Sequence, residues 1–208
     1  MNREGLRMTF ESIVSGRSMR AQTQVACVAI IGVGTSIAVA PDLRGVLGAL
    51  LALIMLAIAL TDGRLGIIPD EWNAAGLTLA VLNAVLQNPD TMVEAMAAAV
   101  LRGGVLALLF LGLRVAYRGL RGREGIGLGD VKLAVVAGAW LDWLTMPIAV
   151  ELAAVAGLMT YLVRCCWLGR PLHMTSRLPF GLFFAPAIWL GWLLQITMVL
   201  APPLERFS

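Results

Sequence analysis

The sequence predicts an all-α polytopic membrane protein, a bundle of about seven spanning segments (six to eight) with its N-terminus in the cytoplasm. Three observations carry this. Of 208 residues, 59% are hydrophobic and 14% charged, where a soluble domain has about a quarter of its residues charged. The apolar residues come in long runs instead of amphipathic stripes, which is how a chain that lives in lipid is built. Finally, the basic residues gather in alternate breaks between those runs.

The runs are 23–40, 46–61, 72–87, 94–116, 130–146, 147–164 and 180–201. Several fall short of the roughly 20 residues of an isolated spanning helix, 72–87 and 130–146 most clearly. With the N-terminus inside, Arg3, Arg7, Arg17, Arg20, Arg64, Arg114, Arg118, Arg121, Arg123, Lys132, Arg164, Arg170 and Arg177 all face the cytoplasm. That is thirteen of the 16 basic residues; Arg44 and Arg206 fall outside and Arg102 lies within a run. The positive-inside rule selects this orientation. The basic residues form no continuous patch, so nucleic acid is not an expected partner. The arginines at 118–123 set topology, with anionic lipid headgroups as a further partner.

The chain divides into a basic cytoplasmic tail (1–22), a membrane domain (23–201) and a short C-terminal tail (202–208). Leu6, Phe10, Ile13 and Val14 stand at helical spacing, which suits either a helix lying on the inner leaflet or a frayed tail. Ala38-Val39-Ala40 has the look of a signal cleavage site. Pro41 follows at once and the basic tail is long, so 23–40 reads as a retained helix. The outward breaks "PDLRG" (41–45) and "NPDT" (88–91) are tight turn chemistry. The longer inward breaks hold the unusual residues, which places the working face on the cytoplasmic side.

Two of those residues are acids at the inner ends of apolar segments. Asp62 closes the second run, seven residues before Pro69; Asp130 opens the fifth within "GIGLGDVKL". An acid at a membrane border is costly unless paired, hydrated or functional. Two carboxyls brought close do not both ionise readily, which prepares one as a base towards water and the other as an acid towards a carbonyl oxygen. Gly125, Gly127 and Gly129 would let an extended substrate backbone approach Asp130. Taken singly, Asp62 could end a helix in the headgroup layer and Asp130 could be an N-cap.

These residues resemble the bacterial type IV prepilin peptidases, membrane aspartyl proteases of the GxGD type. Asp62 with "IIPD" (67–70), "GLGDVKL" (127–133) and Pro179-Phe180-Gly181 match three ordered motifs of that family. Presenilin-like proteases share GxGD but carry Tyr-Asp at the first aspartate and a late Pro-Ala-Leu; here Thr61 precedes Asp62. The resemblance covers about residues 46–200 and implies an inner-membrane endopeptidase that needs no cofactor or metal. Its catalytic acids would be Asp62 and Asp130. Gly127, Gly129, Lys132, Pro69, Pro179, Phe180 and Gly181 would shape the site, the last three through their backbone. The implied substrate is a prepilin, whose basic leader is cut after a glycine at the cytoplasmic face. The chain is similar to the short forms associated with Flp/Tad pili, which lack the cysteine-bearing insertion linked to N-methylation. Methyltransferase activity is therefore not expected.

If Asp130 caps the fifth helix, the helix dipole favours its charged form and leaves Asp62 as the protonated partner. Lys132, two positions on, does not share a helical face with Asp130 and reaches a headgroup or a loop carbonyl. Arg102 needs a partner inside the bundle, and Glu151 is the expected one; Glu94 lies in the same run as Arg102. Gly103-Gly104 permits close helix approach. Cys27, Cys165 and Cys166 form no C-x-x-C pair, and His173 reads as a solvated loop residue. The competing class is a non-enzymatic membrane protein, either an assembly scaffold or a small transporter. A transporter favours midplane polar groups and internal repeats. Here the acids lie at helix ends and no repeat is evident.

Overall fold

The computed structural model describes residues 3–87, 89–122, 125–168 and 179–200, with side chains described from residue 21 onward except at 167, 168 and 200. Arg123, Arg170, His173, Arg177, Arg206 and the tail at 202–208 lie outside the described residues, as do the side chains of the N-terminal stripe. The described chain forms seven α-helices: α1 (Arg3–Val39), α2 (Leu43–Leu65), α3 (Asp70–Gln87), α4 (Met92–Arg121), α5 (Leu128–Trp140), α6 (Thr145–Leu168) and α7 (Gly181–Leu200). Five contain stretches long and apolar enough to cross a membrane: Ala21–Val39, Leu43–Leu65, Met92–Arg121, Thr145–Cys166 and Gly181–Val199. The chain is an all-α, multi-pass membrane protein. The two helices outside that set, α3 and α5, are the two shortest.

The short α5 is the centre of the bundle, packed on α3, α4 and α7. Its 13 residues reach only about 20 Å, but Leu133, Ala134, Val136, Ala137, Gly138, Ala139 and Trp140 are all buried. A helix apolar on every side belongs inside other helices. The outward faces of α4 and α6 carry Leu108, Leu109, Val155 and Leu158 exposed, as a lipid-facing shell requires.

Small residues set the crossings. A Cβ on Gly138 would lie 2.5 Å from the Arg102 carbonyl oxygen, and one on Gly103 would lie 2.9 Å from that of Val135. The backbones of α4 and α5 therefore touch, as the Gly103-Gly104 pair predicts. Only Gly103 does this, because nothing lies within 4 Å of a Cβ on Gly104. Arg102 finds its partner at the same crossing: its Nε donates to the Gly138 carbonyl at 3.2 Å. The expected partner, Glu151, is exposed on α6. A guanidinium beside a backbone carbonyl already in contact needs no acid from a further helix. Glu94 lies in the first turn of α4, where the helix dipole favours an acid.

Ties at both ends give the helix directions. The Leu182 N–H at the start of α7 meets Asp62 near the end of α2. Lys132 at the start of α5 meets Asp70 at the start of α3, and the Asp142 N–H after α5 meets Gln195 late in α7 at 3.1 Å. So α3, α5 and α7 run away from the end where α2 finishes. The expected segment 130–146 is too long at its C-terminus. Leu141 leaves the helix with extended backbone (φ −95°, ψ 152°). The Asp142 carboxylate then accepts from the N–H of Leu144 at 3.1 Å and of Thr145 at 2.7 Å, starting α6. Leu141, Trp143 and Leu144 hide that break from hydropathy.

Gly138→Ala should destabilise the bundle by about 1–3 kcal/mol, because backbone cannot move aside cheaply. Gly104→Ala should be neutral or stabilising by about 0.5–1 kcal/mol. Thermal unfolding of both variants in detergent checks the contrast.

Candidate active site

Asp62 lies in the last turn of α2, which closes at Gly66 in the left-handed conformation (φ 65°), the Gly66 N–H returning to the Asp62 carbonyl at 2.8 Å. Glycine tolerates that backbone without strain. The chain then runs through Ile67, Ile68 and Pro69 into α3. Asp62 is 6% exposed and Asp130 9%, and both line one cavity of about 500 Å³ at this end of the bundle. A neighbouring cavity of about 210 Å³ is also lined by both. Gly63, Arg64, Gly66, Gly125 and Gly127 rim the larger one, and all are exposed. Buried carboxyls therefore face a space that water can fill.

Each carboxyl is held by main chain. Asp62 Oδ2 accepts the Leu182 N–H at 2.9 Å, from the first turn of α7. Asp130 Oδ2 accepts the Gly127 N–H at 3.1 Å. Asp130 is not the N-cap of α5. Gly127 occupies that place, and Asp130, three residues on, reaches back to it as the acidic half of a capping box. Both acids thus meet the positive end of a helix, Asp130 that of α5 and Asp62 that of α7. Asp62 also lies in the last turn of α2, whose negative end disfavours its charged form, so the two acids do not meet equal dipoles.

Ile68 joins the three motifs. It is 7% exposed. A Cβ on Gly129 would lie 3.1 Å from Ile68 Cβ, and one on Gly181 would lie 2.7 Å from Ile68 Cδ1 and 2.8 Å from Asp62 Oδ2. The glycines beside Asp130 serve internal packing before substrate access: Gly129 receives Ile68, and a Cβ on Gly125 would lie 2.5 Å from the Tyr117 ring. Gly127 alone among them borders the Asp130 carboxyl, at 3.2 Å from a built Cβ.

Pro179 and Phe180 line the larger cavity. The Phe180 ring sits 6.0 Å from Phe110 on α4 and 5.3 Å from Phe184 on α7, which fixes the entry to α7. Pro69 borders neither cavity, whereas its neighbour Ile68 borders the smaller one. Lys132 also lines the smaller cavity, but its Nζ pairs with Asp70 Oδ1 at 2.6 Å instead of a headgroup or loop carbonyl. Both side chains of that pair are exposed, so it aligns α3 with α5 and adds at most about 1 kcal/mol. Sequence reading missed Ile68 and Asp70, although both stand in the quoted "IIPD". The available signal for Asp70 was that the chain's single lysine lies in the other motif. Among the described residues no group of His, Cys, Asp and Glu is arranged to hold a metal ion. Cys27, Cys165 and Cys166 are exposed free thiols.

Residues 49–162 match the model of the type IV leader peptidase family. That range includes Asp62 and Asp130 and stops short of Pro179. The chain is 33% identical over 144 residues to leader peptidase HopD of Escherichia coli, covering 69% of this chain and 90% of that protein. It is 41% identical over 133 residues to a prepilin leader peptidase/N-methyltransferase of Burkholderia pseudomallei (strain 1026b), covering 63% of this chain and 40% of the relative. To the protein of that name from Aeromonas hydrophila it is 30% identical over 169 residues, 79% of this chain and 55% of the relative. No solved structure matches significantly.

Gly181→Ala places a methyl group against both Ile68 and the Asp62 carboxyl. Moving that carboxyl by about 1 Å should lower peptidase activity by about 10²-fold, with membrane levels unchanged. Immunoblotting of membranes together with a leader-cleavage assay measures both.

Proposed function

The chain belongs to the type IV leader peptidase family and is a peptidase; from that premise we propose that it cuts the leader from type IV prepilins with Asp62 and Asp130 as its catalytic acids. The observation that carries this is the shared cavity: two buried carboxyls, 68 positions apart in the chain, line the same space of about 500 Å³.

In the proposed reaction a water lies between the carboxyls. The ionised one takes a proton from the water as its oxygen attacks the scissile carbonyl carbon. The protonated one donates to the carbonyl oxygen. The tetrahedral diol then collapses: the second carboxylate takes back a proton from one hydroxyl as the carbonyl reforms, the C–N bond breaks, and the leaving amine takes the proton held by the first carboxyl. Each turnover thus restores one acid and one base. The pair titrates as a unit, and the N–H groups of Leu182 and Gly127 keep its oxygens aimed into the cavity.

The substrate reading is a basic leader ending in glycine, followed by an apolar helix that stays in the bilayer. Its support is the position of the site. Arg64, Arg114, Arg118, Arg121, Lys132 and Arg164 lie at the same end of their helices as the two acids, and Arg44 lies at the other. By the positive-inside rule, this distribution supports a site on the cytoplasmic face of the inner membrane. The short Flp/Tad-like form is the branch we favour. A scaffold or transporter accounts for neither the convergence of the acids nor the family match.

Asp62→Asn and Asp130→Asn should each abolish cleavage of a co-expressed prepilin while the protein stays in the membrane, read as unprocessed pilin on a gel. The wild type should show a bell-shaped pH profile, because one carboxyl must be ionised and the other protonated. Processing by either Asn variant contradicts the assignment.

A further inference from the structure

Arg114 is half-buried near the end of α4, where sequence reading assigns it only to membrane topology. Its Nη1 donates to the Ile126 carbonyl oxygen at 2.6 Å. The N–H on the other side of that same peptide bond, that of Gly127, donates to Asp130 Oδ2 at 3.1 Å. One planar peptide group therefore has a guanidinium on its oxygen and a carboxyl on its nitrogen. Three residues along α4, Tyr117 packs on Gly125 and closes the other side of the loop.

We propose that Arg114 is a positioning residue for the reaction, holding and polarising the Ile126–Gly127 peptide so that its N–H is presented to Asp130. A charged donor on a carbonyl makes a short, strong hydrogen bond. It also draws electron density towards the oxygen and strengthens donation from the N–H of the same amide. The guanidinium thereby acts on the carboxyl without contacting it, through a peptide that rigid planarity keeps in register. The loop at 125–127 is otherwise exposed at Gly125 and Gly127, and α4 supplies the scaffold that steadies it. This inference rests on the assignment of Asp130 as a catalytic acid.

The test measures cleavage of a synthetic prepilin peptide, with a basic leader, a glycine and an apolar segment, by purified wild type and variants in detergent. Arg114→Lys keeps charge and donor, Arg114→Gln keeps a neutral donor, and Arg114→Met keeps neither. The expected order of kcat is Lys, then Gln, then Met. The Met variant should fall by about 10- to 100-fold with KM unchanged, as for loss of an interaction that acts on the reacting group alone. Arg121→Met, from the last turn of the same helix, should stay within about twofold of wild type. Equal kcat for all three Arg114 variants overturns the inference, as does a loss carried by KM or an equal loss in Arg121→Met. If Arg114→Met does not accumulate, the Lys and Gln variants decide, and equal kcat for those two overturns it. Asp130→Asn is run alongside. If it still cleaves, the assignment of Asp130 fails; if it is dead while Arg114→Met is fully active, only the role of Arg114 fails.

Discussion

The structure depends on satisfying two buried carboxyls where an apolar bundle meets water. A carboxylate with no partner in such a place costs several kcal/mol, and among the described residues neither acid has a basic side chain bonded to it. Each is held by a main-chain N–H at a helix start, Asp62 by Leu182 and Asp130 by Gly127. That solution stabilises a negative charge without neutralising it. It leaves both acids lining the cavity. It also fixes where α7 and α5 begin, since moving either start would strip an acid of its donor.

The rest of the bundle follows from bringing those starts to one place. The α5 helix is short, and glycine lets its backbone lie against α4 at Gly103 and Gly138. At the other end, Asp142 and Gln195 tie α5 to α7. In the middle, the Trp140 Nε1 bonds the Gly76 carbonyl of α3 at 3.1 Å. Ile68 then fills the wedge between Gly129 and Gly181, so the loop after α2 packs on both helix starts it faces.

Much of this was legible in the sequence because it is local. Hydropathy found all seven helices, and the ends of the 72–87 and 180–201 runs agree with α3 and α7 to within two residues. The acids and the three motifs stood out by their place at segment ends. The unread parts are contacts between residues distant in the chain. Arg102 bonds a carbonyl on α5 and not the acid that charge pairing suggested, because the choice depends on which helices touch. Lys132 pairs with Asp70 through the parallel run of α3 and α5, which no periodicity reports. Hydropathy puts the break before α6 several residues late, at 146–147, because Leu141, Trp143 and Leu144 are apolar and only the capping carboxylate of Asp142 marks it. Of the glycines of "GIGLGD", Gly129 and Gly125 make room for Ile68 and Tyr117, contacts the sequence did not announce, while Gly125 and Gly127 also line the larger cavity.

The central claim is spatial: Asp62 and Asp130 converge on one cavity large enough for water. A direct measurement places Cys at 62 and 130 in a variant lacking Cys27, Cys165 and Cys166, then treats membranes with a short bifunctional thiol reagent. Cys at 70 and 132 serves as the neighbouring control. The account predicts that an intramolecular cross-link forms in both double variants. A link at 70 and 132 with none at 62 and 130 would contradict it.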